Sequence, residues 1–307
     1  MVRVAVKAQE RPRAKFVPWD YQKYCINRLL VDEELGLFLD LGLGKTVITL
    51  TAINDLKYNR FAIRKALVIA PKKVAEATWS NEASKWQHLQ HMRIVPVLGD
   101  KNKRIRALNT PGDVYVVSRD SIVWLIEHYR NAWPFDMVVA DELSSFKNHA
   151  ANRTKALSWV RPHIKRFVGL TGTPAPNGLL DLWAQINLLD QGERLERNIT
   201  AYRAKYFEKN YNGFGYTAKP GADEVIQRRI ADICISMKAE DYLDLPDAVV
   251  NVIPVVLSDK AQKQYDRLER EALLQIGDAE ITALNAAALT NKLLQLCNGE
   301  IYYDEHV

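Results

Sequence analysis

Leu37-Phe38-Leu39-Asp40-Leu41-Gly42-Leu43-Gly44-Lys45-Thr46-Val47-Ile48 is the stretch from which the fold can be read. An apolar run ends in a turn with two glycines, Lys-Thr follows, and then Ile48, Ala52 and Leu56 recur at every fourth residue, as on one helix face. Strand, glycine turn and helix, in that order, form the context of a phosphate-binding loop. Gly42 and Gly44 have no side chain to hold the backbone off an anion. The amides at the helix start point at the anion, and the helix dipole favours it there. In that role Lys45 would reach the β- and γ-phosphates and Thr46 would hold Mg²⁺, with Leu43 and Val47 completing the nucleotide-binding stretch. The strict pattern has a further glycine where Leu39 stands, and Gly42 partly makes up for it. The bland alternative is a glycine turn leading into a helix.

Downstream, short β-branched runs alternate with helical patterns: Leu67–Ala70, Ile94–Val97, Val114–Val117, Met137–Ala140 and Phe167–Leu170. Near-continuous apolar runs of this length read as parallel strands buried on both faces. They predict a doubly wound α/β domain whose ligands sit at the carboxyl ends of the strands. Polar candidates do follow those ends. Asp141-Glu142 comes directly after one run, where Asp141 would bind Mg²⁺ and Glu142 would orient and deprotonate an attacking water. Thr171-Gly172-Thr173 follows another, with two small hydroxyls that suit an element coupling the metal site to its surroundings. An acidic turn and a plain strand-to-loop turn are the structural alternatives.

The chain has 307 residues, 42 basic and 37 acidic, for a formal net charge of +5, which permits a polyanionic partner without requiring one. Cys25, Cys234 and Cys297 are too far apart to suggest a disulfide or metal framework. No apolar run approaches the ~18 residues of a membrane span, and no secretory leader is visible, so a cytoplasmic location of a bacterial cell or infected host is expected. Residues 1–15 read as a basic tail. Strand signals cease near Leu179, and residues 179–245 read as a helical insertion interrupted by a turn or short hairpin loop at 210–215. Residues 246–307 read as a linker with one strand-like run, Val249 to Leu257, and then helical pattern to about Leu296.

Taken in order, these motifs resemble a known family. The series runs from Tyr21-Gln22 through Asp40–Thr46 and Ala70-Pro71 with Trp79 downstream. It continues with Asp141-Glu142-Leu143-Ser144-Ser145-Phe146-Lys147-Asn148 and Leu170-Thr171-Gly172-Thr173-Pro174-Ala175-Pro176-Asn177, leading to Leu182-Trp183. It is similar to the first motor lobe of a Swi/Snf-type ATPase of helicase superfamily two, of the bacterial and phage kind, over about residues 16–303. Ser144 stands where that family usually has histidine.

The resemblance implies a RecA-like ATP-binding lobe over residues 16–178 and a mainly helical C-terminal extension. It implies ATP and Mg²⁺ as ligands, with Gln22 reading adenine beside Tyr21 or Trp19. It implies duplex DNA as partner, tracked by Pro71, Lys72 and Lys73 and by Ser118 and Arg119. Lys101, Lys103, Arg104 and Arg106 are either a solvated loop or a further backbone contact. A second RecA-like lobe, in cis or in trans, would supply the arginines that complete hydrolysis, because the 307 residues stop where it would begin. An RNA or single-strand helicase and a non-catalytic nucleotide-gated module remain as rival functions.

Overall fold

A computed structural model of the chain describes residues 13–175, 178–210, 215–243, 254–277 and 283–298. The runs read as buried strands are strands: β1 (Glu34–Leu39), β2 (Ala66–Ala70), β3 (Ile94–Val97), β4 (Val114–Ser118), β5 (Met137–Asp141) and β6 (Arg166–Thr171). Helices α1 (Asp20–Val31), α2 (Lys45–Tyr58), α3 (Trp79–Lys85), α4 (Lys101–Asn109), α5 (Ile122–Tyr129), α6 (Asn152–Val160) and α7 (Leu182–Asp190) alternate with them. Beyond lie α8 (Ile199–Tyr206), the hairpin β7 (Phe207–Lys209) with β8 (Tyr216–Ala218), then α9 (Ala222–Ile230) and β9 (Cys234–Met237).

The main sheet has the order β3-β4-β2-β5-β6-β1-β9, and its strand pairs are parallel. Successive side chains point to opposite faces. Leu35, Leu37, Leu39, Val68, Val116, Val139 and Leu170 therefore meet the apolar residues of α1, α2 and α3 on one face. Phe38, Ile69, Val117, Val138 and Phe167 meet those of α5, α6 and α7 on the other. This is a doubly wound, RecA-like α/β domain.

Cys234–Met237 is a strand that the sequence pattern did not show. It extends the main sheet by pairing with β1, Gly36 opposite Cys234 and Leu39 opposite Met237. Only four residues long and carrying exposed Ser236, it lacks the apolar run of the inner strands. The expectation that strands cease after Leu179 is thus corrected, and the Gly/aromatic stretch lies between the two strands of a hairpin. Its residues 211–214, the tail residues 1–12, Pro176-Asn177, the strand-like run from Val249 as far as Ile253 and everything after Asn298 lie outside the described residues. The described remainder of that run, residues 254–257, forms no strand.

The chain divides into two compact units, Met1–Leu245 and Pro246–Val307. The second contains α10 (Asp259–Gly277) and α11 (Ala283–Cys297). Among the described residues no helix is long and apolar enough to cross a membrane.

Two local features fix the working edge of the sheet. Arg166, at the start of β6, donates to the carbonyls of Leu29, Leu30, Val31 and Asp32 at 2.8–3.4 Å. These are the unpaired groups that the end of α1 leaves over. Further along β6, Gly169 lies opposite Gly36 on one side and Ala140 on the other. A Cβ at Gly169 would come within 2.4 Å of the Leu143 side chain, so the small residue lets the turn after β5 settle onto the sheet. Gly169→Val should cost about 1–3 kcal/mol through overpacking and displace Leu143 beside Glu142. Urea unfolding midpoints of wild type and variant check this, and equal midpoints would show that the close approach does not matter.

Candidate active site

The candidate residues converge on one edge, where the strands end. Gly42 and Gly44 take positive φ of 90° and 78°, a region that side chains rarely tolerate. Gly44 is the N-cap of α2 and brings no side-chain cap, so the first amides of the helix stay available for a ligand. Lys45 donates from Nζ to the carbonyls of Leu39, 2.5 Å away, and Asp40, 3.1 Å away. Leu43 is fully buried, Val47 is buried, and Thr46 lies half-buried in the first turn of α2.

Gln22 and Tyr21 reach the same place from the start of α1. The Gln22 side chain is buried and accepts a hydrogen bond from the Trp19 amide at 3.0 Å. Its Nε2 would stand 2.8 Å from a Cβ placed on Gly44. Glycine is therefore favoured at 44 by φ, and it lets the glutamine side chain pack directly over the loop. Tyr21 stacks obliquely on Tyr242, ring centres 4.9 Å apart. The turn carrying Tyr242 is tied to the loop by the Ala239 amide, which donates to Asp40 Oδ2 at 3.0 Å.

Across the loop stand the two acids. Asp141 ends β5, and its Oδ2 accepts the indole N–H of the fully buried Trp79 at 2.9 Å. Glu142 sits in the left-handed region at φ 65°, a strained position for a non-glycine residue. Its Oε1 accepts from the Thr171 hydroxyl at 2.9 Å and from the Ser144 hydroxyl. The Thr171 hydroxyl in turn accepts the Thr173 amide at 3.2 Å. At Gly172 a Cβ would lie 3.4 Å from the Leu39 carbonyl and 3.9 Å from Asp40 Cα. Thr171-Gly172-Thr173 thus touches Glu142 and the start of the phosphate loop at once.

The electrostatics follow from burial. Desolvation holds the Lys45 ammonium below its ordinary range, opposed by Asp141, Glu142 and Asp40. Desolvation lifts the Asp141 carboxyl above its range, opposed chiefly by the Trp79 hydrogen bond and reinforced by Glu142. One half-buried cation facing three carboxylates, with helix-start amides beside it, suits a polyphosphate that arrives with a divalent cation.

The remaining candidates sit elsewhere on the edge. Lys72 and Lys73 are exposed just after β2. Ser118, the last residue of β4, is buried with its hydroxyl 3.0 Å from that of Ser121, while the next residue, Arg119, is partly exposed beside Asp120. Pro71, Lys72, Lys73, Ser118 and Arg119 therefore lie at or just past the ends of β2 and β4, while the phosphate and metal candidates lie at or just past the ends of β5, β6 and β1. Sequence reasoning assigned no role to Trp79, Ser144 or Tyr242. Trp79 left a signal as a member of the motif series and Ser144 as the departure from the usual histidine; Tyr242 left none.

Residues 15–299 match the SNF2-related domain. The chain belongs to that family. It is a family of helicase-like, ATP-binding hydrolases built on the RecA-like fold. The chain is 38% identical over 306 residues to protein p41 of Acyrthosiphon pisum secondary endosymbiont phage 1, covering 95% of this chain and 65% of that protein. It is 27% identical over 293 residues to an uncharacterized ATP-dependent helicase of Mycoplasma genitalium, covering 91% of this chain and 26% of the helicase. It thus spans between about a quarter and two thirds of the length of these relatives. The Sulfolobus solfataricus SWI2/SNF2 ATPase core, solved in complex with double-stranded DNA, superposes with a TM-score of 0.60 at 21% identity. That match covers 93% of this chain and 59% of the other and shows the shared fold.

Because burial holds the Asp141 carboxyl above its ordinary range, its ionised form costs stability at neutral pH. The cost shrinks as pH falls from the raised folded value to the ordinary carboxylate value, where the group is protonated in both states. Asp141→Asn should therefore raise the melting temperature at pH 7 by roughly 1–4 °C and lose that advantage near pH 4. Thermal scans across pH check this, and a lowered melting temperature at pH 7 would contradict it.

Proposed function

We propose that the chain is the nucleotide-binding motor lobe of a DNA-dependent ATPase that acts on duplex DNA. The observation that carries the reading is the Thr171–Glu142 hydrogen bond, with Gly172 against the phosphate loop, because it joins an acid to a phosphate cradle through a single strand end. In this reading Gln22 and Tyr21 take the adenine. Gly42 to Val47 take the phosphates, with Lys45 leaving the carbonyls of Leu39 and Asp40 for the β- and γ-phosphates. Thr46 and Asp141 hold Mg²⁺, which when bound neutralises phosphate charge. Glu142 accepts the proton of the attacking water, and Thr171, Gly172 and Thr173 relay changes at the acid to the loop. The residues fit these ligands: Gly42 and Gly44 add no side chain of their own to the cradle, and the acids lie beside Lys45.

Lys45→Ala removes the one cation of the loop and should weaken ATP binding at least tenfold. Glu142→Gln should leave binding nearly intact. Calorimetric titration of the three proteins measures both, and equal ATP affinity in wild type and Lys45→Ala would sink the assignment.

The charged groups that act on Lys45 are Asp141, Glu142 and Asp40, all acidic. An arginine finger is worth about 10³–10⁵ in rate in the hydrolases where it has been weighed. We propose that it comes from a second RecA-like lobe, in cis or in trans, and that these 307 residues alone turn over slowly.

DNA contact in this reading runs through Lys72, Lys73 and Arg119 past the ends of β2 and β4. Such contact is electrostatic and indifferent to sequence. Duplex binding should fall steeply between low and high salt, and reversing Lys72 and Lys73 to Glu should weaken all sequences alike. Competition among duplex DNA, single strands and RNA decides the substrate, and preferential binding of RNA or single strands would replace duplex DNA in this reading.

A further inference from the structure

Trp79 lies in the core with no exposed surface, yet its one polar atom points at the edge of the sheet. Its indole N–H donates to Asp141 Oδ2 at 2.9 Å, across 62 residues of sequence. A buried indole needs an acceptor, and a backbone carbonyl would serve as well. Here the acceptor is instead a carboxylate at the end of β5, directly beside Glu142 and within the field of Lys45.

The local backbone is shaped to bring this about. Between β2 and α3 the chain makes a π-helical turn, Val74–Thr78, and Trp79 is the next residue. A π turn holds one residue more than an α turn and is often found at functional positions. Closing it in the α form would rotate everything after it by about 100°, which would take the indole away from Asp141. The segment starts rigidly, since the Ala75 amide donates to the Pro71 carbonyl at 2.9 Å.

We propose that Trp79 is a positioning residue for the metal site: its indole N–H occupies Oδ2 of Asp141, fixes the carboxylate plane and reserves Oδ1 for the cation. The proposal rests on the reading of Asp141 as a metal ligand. Hydrogen-bond partners of ligating carboxylates orient them, and their loss typically costs about 10–100-fold in metal affinity.

The test measures ADP affinity in excess MgCl₂ and in EDTA for wild type, Trp79→Phe and Asp141→Asn, using the whole 307-residue chain. Trp79→Phe keeps an aromatic ring in the core and deletes the donor. Wild type should bind ADP more tightly with Mg²⁺, and Trp79→Phe should lose about tenfold of that gain while its affinity in EDTA stays unchanged. A structural role alone would move both affinities together or neither, and either pattern overturns the proposal. Asp141→Asn separates the two levels. If it retains the full Mg²⁺ gain, the reading of Asp141 fails. If it loses the gain while Trp79→Phe keeps it, only the role of Trp79 fails. Should Trp79→Phe not fold, the wild-type protein still decides. The Trp79 indole N–H resonance in ¹⁵N-labelled protein should shift when Mg²⁺ is added to the ADP complex and should not shift in Asp141→Asn. An unmoved resonance in wild type overturns the proposal.

Discussion

The parallel sense of the main sheet constrains the rest of the molecule. Strands that run one way need helical crossovers, and the crossovers cover both faces. Along β2, from Ala66 to Ala70, and along β5, from Met137 to Ala140, every side chain is buried, and none is charged. Charged groups enter at strand ends, as Arg166 does where β6 begins and Asp141 where β5 stops. All strands stop at the same edge, so the acids, the lysine and the hydroxyls of separate segments are gathered there without any of them having to cross the core. Strand order then sorts them: β5, β6 and β1 are neighbours and carry the candidate nucleotide groups, while β2 and β4 carry the candidate phosphate contacts to one side.

Within that edge the charged groups are held by hydrogen bonds to the surrounding chain. Lys45 is tied to two carbonyls of its own loop, and Glu142 to the hydroxyls of Ser144 and Thr171. Replacing one hydrogen bond with another is nearly neutral in free energy, whereas leaving a buried charge with none is costly. The arrangement keeps a partly desolvated lysine and a strained acid in place, each with hydrogen-bond partners of its own. The left-handed backbone at Glu142, of order 1–3 kcal/mol for such a residue, fits a position whose geometry serves chemistry more than stability.

The inner strands were legible because burial on both faces leaves an unbroken apolar run, as in Leu67–Ala70. The turn between β1 and α2 was legible because glycine is favoured at its two positive φ angles. The seventh strand was not, since an edge strand of four residues needs no such run and Ser236 interrupts it. Pairs brought together by the fold also left no trace in the sequence. Neither Trp79 with Asp141, nor Gln22 with Gly44, nor Ala239 with Asp40 can be inferred from spacing, because whole secondary-structure elements separate each pair. Ser144 was visible as an irregularity, but its bond to Glu142 depends on a backbone conformation at Glu142 that no residue type demands. Ser118 shows the opposite limit. A small polar residue after a strand looks available, and the turn that follows has already claimed its hydroxyl.

The guanidinium of Arg166 gathers four carbonyls at the far end of α1, while Tyr21 and Gln22 sit at its near end. Twelve helical residues span about 18 Å. The helix is in effect a rod clamped at its base, and a base error of a few degrees becomes a displacement of about an ångström at the tip. An arginine at the opposite end of α1 thus sets the aim of the side chains beside Gly44. A lysine could not replace it, because a single ammonium has three donors and no planar fork with which to grip four oxygens.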